Sequence, residues 1–151
     1  MQLTLIAADD IRQLADGKIL AVGLYADRTV VLQAPAEAIA QMQEVPLAFR
    51  LSLLLCVNGL SPGSHTFQVS MQEPEMSTPR ALGPVATRPV PEGGSATLIL
   101  NLDPFLARAA GTFVVHCQVD GSTQLSGEFE LRVREIQRVS APKGPSTQTA
   151  V

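Results

Sequence analysis

Two histidines, two cysteines and a scatter of aspartates are the residues of this chain with chemistry to offer. His65 opens a run of alternating residues just after a turn, and His116 has the outward parity of its own run. Both read as surface histidines. Cys117 cannot form a dyad with His116, because adjacent residues of a strand point to opposite faces. Nothing in the sequence favours a histidine from another strand as partner for Cys56. No Gly-x-Ser-x-Gly elbow is present, so the usual local sign of a serine hydrolase is missing. The loop aspartates Asp9, Asp10, Asp16, Asp27, Asp103 and Asp120 show none of the spacing of a calcium loop. Turn and capping duty explains Asp16, Asp103 and Asp120 without a metal. Two cysteines alone cannot build a zinc site. Gly93 and Gly94 precede a strand rather than a helix, so they make no phosphate loop. No catalytic residue, metal or cofactor is therefore expected. The residues left without a structural explanation are Tyr25, Asp27 and Arg28, which follow a strand. With His65, they are the candidate binding residues.

The elements that must position them are strands. Alternation with period two dominates the chain. In "LSGEFELRVR" Leu125, Phe129, Leu131 and Val133 share one face, and charges of both signs occupy the other. In "TFVVHCQV" Phe113, Val115, Cys117 and Val119 point inward, and Asp120-Gly121 supplies the turn between these two strands. Residues 46 to 58 form a long strand with Leu47, Phe49, Leu51, Leu53, Leu55 and Val57 inward. Its second half carries Leu54 and Cys56 on the other face, which therefore needs a cover. Pro62-Gly63 turns the chain into "HTFQVSMQ", with Phe67, Val69 and Met71 inward. In "SATLILNL" Ala96, Leu98, Leu100 and Leu102 share a face. Cys56 and Cys117 have opposite parities, which disfavours a disulfide between them.

Two short helices are expected. Asp103, Pro104 and Gly111 suit the cap, first turn and exit of one over 103 to 111. Residues 35 to 45 are rich in helix formers behind a proline. The Pro- and Gly-rich stretch 73 to 94 allows at best an edge strand over 81 to 88. In "DGKILAVGLYADR", Asp16-Gly17 suits a two-residue hairpin turn, followed by a buried strand paired onto "DDIRQLA". Gly23 marks a bulge or a close backbone approach, and Tyr25 sits at the rim with its hydroxyl seeking a partner. Eight or nine short strands, regularly spaced, predict an all-β, antiparallel sandwich with one or two short helices. Residues 1 to 138 are read as one domain, and 139 to 151, small and polar, as a disordered tail.

The 151 residues carry a net charge of −3 and are 46% hydrophobic but only 4% aromatic. The core must then be mostly aliphatic. An acidic balance without basic clusters argues against nucleic acid and anionic membrane surfaces as partners. The N-terminus lacks a basic n-region and a full apolar h-region, and no apolar run reaches membrane-spanning length. A cytoplasmic location is expected.

The order of these features resembles a family of bacterial proteins of about this length that carry no assigned function. The matching residues are Asp9 and Asp10, then Asp16, Gly17 and Lys18, then Gly23, Leu24, Tyr25 and Asp27. A later "AGTFVVHCQVDG" matches the family's "pGtY" strand and "vdg" turn, with Phe113 in place of the tyrosine. The resemblance spans most of residues 7 to 133. It implies an immunoglobulin-like sandwich and assigns no activity.

Three functions follow as expectations. The first is a non-enzymatic binding or protein-interaction module whose partner is another protein or a second copy in a homodimer. The second is a small-ligand protein or enzyme with its site in the end loops. The third is a structural accessory of a bacterial or phage assembly.

Overall fold

A computed structural model describes residues 1 to 136. The expected tail, 139 to 151, lies outside them. Ten strands form two sheets. In chain order they are β1 (Gln2–Gln13), β2 (Ile19–Leu24), β3 (Thr29–Ala34), β4 (Leu47–Asn58), β5 (Gly63–Gln72), β6 (Arg80–Ala81), β7 (Ala86–Val90), β8 (Ser95–Ala107), β9 (Gly111–Val119) and β10 (Thr123–Glu135). One sheet runs β2-β1-β4-β8. The other runs β3-β10-β9-β5-β6, with β7 also on β5. A 3-10 turn (Ala26–Arg28) precedes β3, and one short helix, α1 (Ala36–Ala40), follows it.

The inward residues expected from alternation fill the space between the sheets. Leu51, Leu53, Leu55 and Val57 of one sheet meet Phe67, Met71, Phe113, Val115, Cys117 and Phe129 of the other, all nearly without exposure. Four of the five phenylalanines gather at one end of this core. Phe105 lies edge-on to Phe49, Phe113 and Phe129, with centroids 5.1, 5.6 and 6.3 Å away, and Phe113 stacks on Phe129 at 5.0 Å. Such pairs add to the hydrophobic gain of burial.

Several local expectations give way to long-range pairing. The helix expected over 103 to 111 is instead the end of β8. Its Phe105 pairs with Phe49 after a register shift at Phe49/Leu51. Asp103 and Pro104 together face the single residue Arg50, an arrangement in which the ladder needs no proline N–H. Arg50 Nε lies 3.5 Å from the Asp103 carboxylate across this bulge. The cap-like residues therefore serve a bulge on an edge strand, because continuing the ladder with β4 buries Phe105. The helix expected over 35 to 45 shrinks to five residues. The strand expected over 81 to 88 is two pieces, β6 and β7, both on β5.

The sandwich is not wholly antiparallel. β3 pairs in parallel with β10, from Thr29↔Glu130 to Ala34↔Glu135. The chain reaches that position because β2 and β3 belong to different sheets, linked by the 3-10 turn. The cover needed by Leu54 comes from its cross-strand neighbours Ile6 and Ile99. With Ala8, Ile11 and Cys56 these residues form a second, smaller apolar cluster. Gly94, at φ +58, is buried against the Leu60 carbonyl, where a Cβ would collide with backbone. The Leu60 N–H donates to the Gly94 carbonyl at 3.0 Å, closing β8 onto the loop before β5.

Candidate functional site

β2 is the chief departure from expectation. It pairs antiparallel with β1, as Gln13↔Ile19 to Ala8↔Leu24, but it is not buried. All six of its residues are exposed. Ile19, Leu20, Val22 and Leu24 are 39%, 46%, 52% and 63% exposed. β2 ends its sheet, so the side away from β1 is an open ladder edge. The Asp16-Gly17 turn is also longer than expected, a five-residue loop between Gln13 and Ile19. The Asp16 carboxylate accepts the Lys18 N–H at 3.0 Å, and Gly17 has φ +84.

Beyond Gly23 the chain tightens. Gly23 has φ +68, and a Cβ there would strike the Asp9 side chain. Close approach explains this glycine. Asp9 can thereby accept the Tyr25 hydroxyl proton at 2.5 Å. The Tyr25 N–H donates to the Ala7 carbonyl at 2.9 Å, and the ring packs on the main core. Burial first, then the bond to Asp9 and its charge, push the Tyr25 phenol up to about 12. The expected rim tyrosine thus has its partner, a carboxylate 16 residues earlier.

Asp27 and Arg28 come next, both left-handed, at φ 53 and 54. Consecutive non-glycine residues in that region each cost about 1–2 kcal/mol, and such strain concentrates at working surfaces. Among the described residues neither side chain joins an ion pair. An open groove of about 400 Å³ runs beside them, lined by Leu3, Ile6, Leu24, Tyr25, Asp27 and Arg28 among others. On their other side a polar recess of about 110 Å³ is bordered by Thr112, Glu128 and Glu130.

His65 does not join this group. Asp27 and Arg28 lie beside the Thr112 and Glu130 ends of β9 and β10. His65 lies at the opposite end, beside Asp120 in the β9–β10 turn. The seven steps from Thr123 to Glu130 span roughly 23 Å, at about 3.3 Å per residue. His65 is not a plain surface histidine either. Its side chain is only 12% exposed. Nδ1 lies 2.6 Å from Asp120 Oδ2, and Nε2 lies 2.7 Å from the Ser61 carbonyl and 3.4 Å from Ser61 Oγ. Asp120 Oδ1 accepts the Thr66 N–H at 2.9 Å, and the Asp120 N–H donates to the Thr66 carbonyl at 2.9 Å.

Serine, imidazole and carboxylate here stand in the order of a hydrolytic triad. The hydrogen bonds oppose that chemistry. A carbonyl oxygen only accepts, so Nε2 carries a proton toward Ser61 O and cannot take one from Ser61 Oγ. Nδ1 donates to Asp120. Both nitrogens donate, which favours the imidazolium. The bonds to Asp120 and then to Ser61 raise the His65 pKa from 6.5, while the bond from Thr66 and then that from His65 lower that of Asp120. The cluster is a clasp between two turns.

His116 faces outward as expected, with Gln124 2.9 Å from its Nδ1. Cys117 is fully buried, Cys56 is half-buried, and both are free thiols. Among the described residues no three side chains of metal-ligating type converge, and no helix is long and apolar enough to cross a membrane. The clasp partners Ser61 and Asp120 were missed from sequence, since turn duty accounts for Asp120 by itself. Asp9 carried one local sign, its membership of an acidic pair.

No family model and no curated protein matches this chain. Similar solved structures are remote. A β-glucosidase from Listeria innocua is 10% identical with a TM-score of 0.39, over 89% of this chain and 16% of that one. The alkylpurine DNA glycosylase AlkC from Pseudomonas fluorescens is 17% identical, TM-score 0.37, over 71% and 28%. A superoxide reductase (neelaredoxin) from Ignicoccus hospitalis is 13% identical, TM-score 0.36, over 73% and 77%. This chain thus matches about a sixth of the glucosidase's length.

Proposed function

We propose that this protein is a non-enzymatic interaction module, an immunoglobulin-like sandwich that binds a protein through β2. One observation carries this: a strand of six exposed residues, four of them large and apolar, leaves its ladder edge open. Natural proteins blunt such edges with charge, proline or a cover, and the core of β2 has none of these. An extended segment of a partner adds to such an edge by main-chain hydrogen bonds. The acidic net charge speaks against nucleic acid as that partner. Two unbonded cysteines fit a reducing cytoplasm. The residues shared with the bacterial family named above, Asp9, Gly23 and Tyr25 among them, include those that shape the end of β2.

The test is a photo-crosslinking amino acid placed at Val22, and separately at the equally exposed Val85, in the cell that makes the protein. A defined adduct from position 22, absent from position 85, is expected. Equal or absent labelling at both positions removes the proposal.

A second reading is a small-ligand site in the groove beside Tyr25. It is favoured by the charges of Asp27 and Arg28, in no ion pair among the described residues, at the wall of an apolar recess. A ligand there would shift the amide resonances of residues 24 to 28 and leave those of His65 unchanged.

A further inference from the structure

We infer that residues 9 to 23, the far half of β1 with β2, form a hinged strap that closes over the outer face of β4 and is latched there by Ile11. β1 keeps β4 as a neighbour only as far as Ala8↔Ser52. Beyond that point β2 is its one ladder partner, from Asp10↔Val22 to Gln13↔Ile19. These residues therefore make a two-stranded arm that leaves the sheet.

The hinge is the step where the arm departs. The ladder of β1 with β2 pairs Ala8 with Leu24 and then Asp10 with Val22, and omits Asp9 and Gly23. Gly23 is left-handed, at φ +68. A break of this kind bends the strands that carry it. The sheet side of the break is anchored, since Asp9 accepts the Tyr25 hydroxyl proton and the Tyr25 N–H donates to the Ala7 carbonyl.

Burial identifies the latch. Leu51, Leu53, Leu55 and Val57 face the main core, so Ser52, Leu54 and Cys56 face away from it. A sheet face turned to water leaves its side chains partly wet. Ser52 and Leu54 are nonetheless only 1% and 7% exposed, while Arg50 and Asn58 of the same face are exposed. Ile6 and Ile99 flank Leu54 within the sheet, and the side chain over it is Ile11. Ile11 is fully buried, in one cluster with Ala8 and Leu54 and apart from the main core. β1 also touches β8, although β4 lies between them in the sheet, as an arm folded over β4 would.

Of residues 9 to 23 only Ile11 is buried. Among the described residues, the side-chain hydrogen bonds and ion pairs of residues 10 to 22 stay within the arm. One apolar side chain thus holds the strap down. Segments with so few buried contacts open locally, well before the whole fold. Lifting the strap bares Leu54, with Ile6 and Ile99 beside it. It needs no partner on β2.

Thiol labelling of the full chain tests the strap. Ser52→Cys, in a Cys56→Ser background, puts a thiol of similar size beneath it, and the buried Cys117 reports opening of the main core. Labelling at position 52 should be slower than that of an exposed thiol and faster than that of Cys117. Ile11→Ala should raise the rate at position 52 by about tenfold or more and leave Cys117 unchanged. Leu20→Ala, at an exposed site of the arm, should change neither. An unchanged rate at position 52, or an equal rise at both thiols, overturns the inference. If these variants misfold, amide relaxation dispersion of the unsubstituted chain decides. Microsecond-to-millisecond exchange shared by residues 10 to 22 and absent from β4 and β9 is expected. A quiet arm, or exchange spread through both sheets, overturns the inference as well.

Discussion

His65 Nδ1 lies 2.6 Å from Asp120 Oδ2, although 55 residues separate them in the chain. The contact ties the start of β5 to the β9–β10 turn and gives the fold a pH-dependent fastening. His65 has its pKa raised in the folded state, so its contribution is complete below about 6.5 and fades as pH rises through the folded value. Asp120 has its pKa lowered, so its contribution is complete above the ordinary carboxylate range and fades as pH falls through the folded value. The clasp is strongest between those limits, in mildly acidic solution. Thermal unfolding of the native chain against Asp120→Asn should show the native advantage greatest there and shrinking toward pH 8. The His65 proton resonances should titrate above 6.5 and move down in the variant. An unchanged His65 midpoint would show that the carboxylate does not hold the imidazolium.

Tyr25 offers a second titration with a clean signal. It is the only tyrosine, and the chain has no tryptophan. Phenolate absorbance of the folded protein should rise near 12 rather than 10. Asp9→Asn should lower the midpoint only in part, because burial is the largest cause. A raised folded pKa adds stability that is complete below about 10 and lost as pH climbs toward 12. A native midpoint at 10 would refute the Tyr25–Asp9 bond.

The cysteines should differ sharply in reactivity. Cys117 has no exposure, and burial pushes its thiol up to about 11. A disulfide reagent at neutral pH should label Cys56 first and Cys117 only as fast as the protein opens. Cys56→Ser should abolish the early phase. Two equal fast phases would place Cys117 outside the core.

Phe105 tests the replacement of a helix by a strand. Its ring touches three other phenylalanines. Phe105→Ala should cost about 3–5 kcal/mol in denaturant unfolding. On the expected short helix, a side chain turned toward solvent would cost far less. A loss below about 1 kcal/mol, the range of surface substitutions, would contradict the ladder from β4 to Ala107.

Much of the framework was legible in the chain. Alternation is local, and it identified the inward residues of β4, β5, β8, β9 and β10. Turn chemistry at Asp120-Gly121 marked the β9–β10 hairpin. Pro62-Gly63 marked a turn, but instead of closing a hairpin of β4 with β5 it carries the chain from one sheet to the other. The all-β class and the two free thiols followed from the same patterns. At the candidate site, local pattern singled out Tyr25, Asp27 and Arg28 because no turn or core duty explained them. It also grouped His65 with them, which the fold does not do. An order of elements in sequence carries no information about which end of a sheet each loop reaches.

The sequence by itself determined which residues alternate, where turns fall and that the core is aliphatic with few aromatics. These depend on side-chain period and backbone preference, which act over a few residues. Only the tertiary structure decided that "ILAVGL" is an exposed edge rather than a buried strand. An apolar strand looks the same in sequence whether its faces are covered or open, since the cover comes from distant segments. The same reason separates Asp103-Pro104 as a helix start from Asp103-Pro104 as a bulge opposite Arg50. It also underlies the bond between His65 and Asp120, whose partners meet only when β5 lies beside β9.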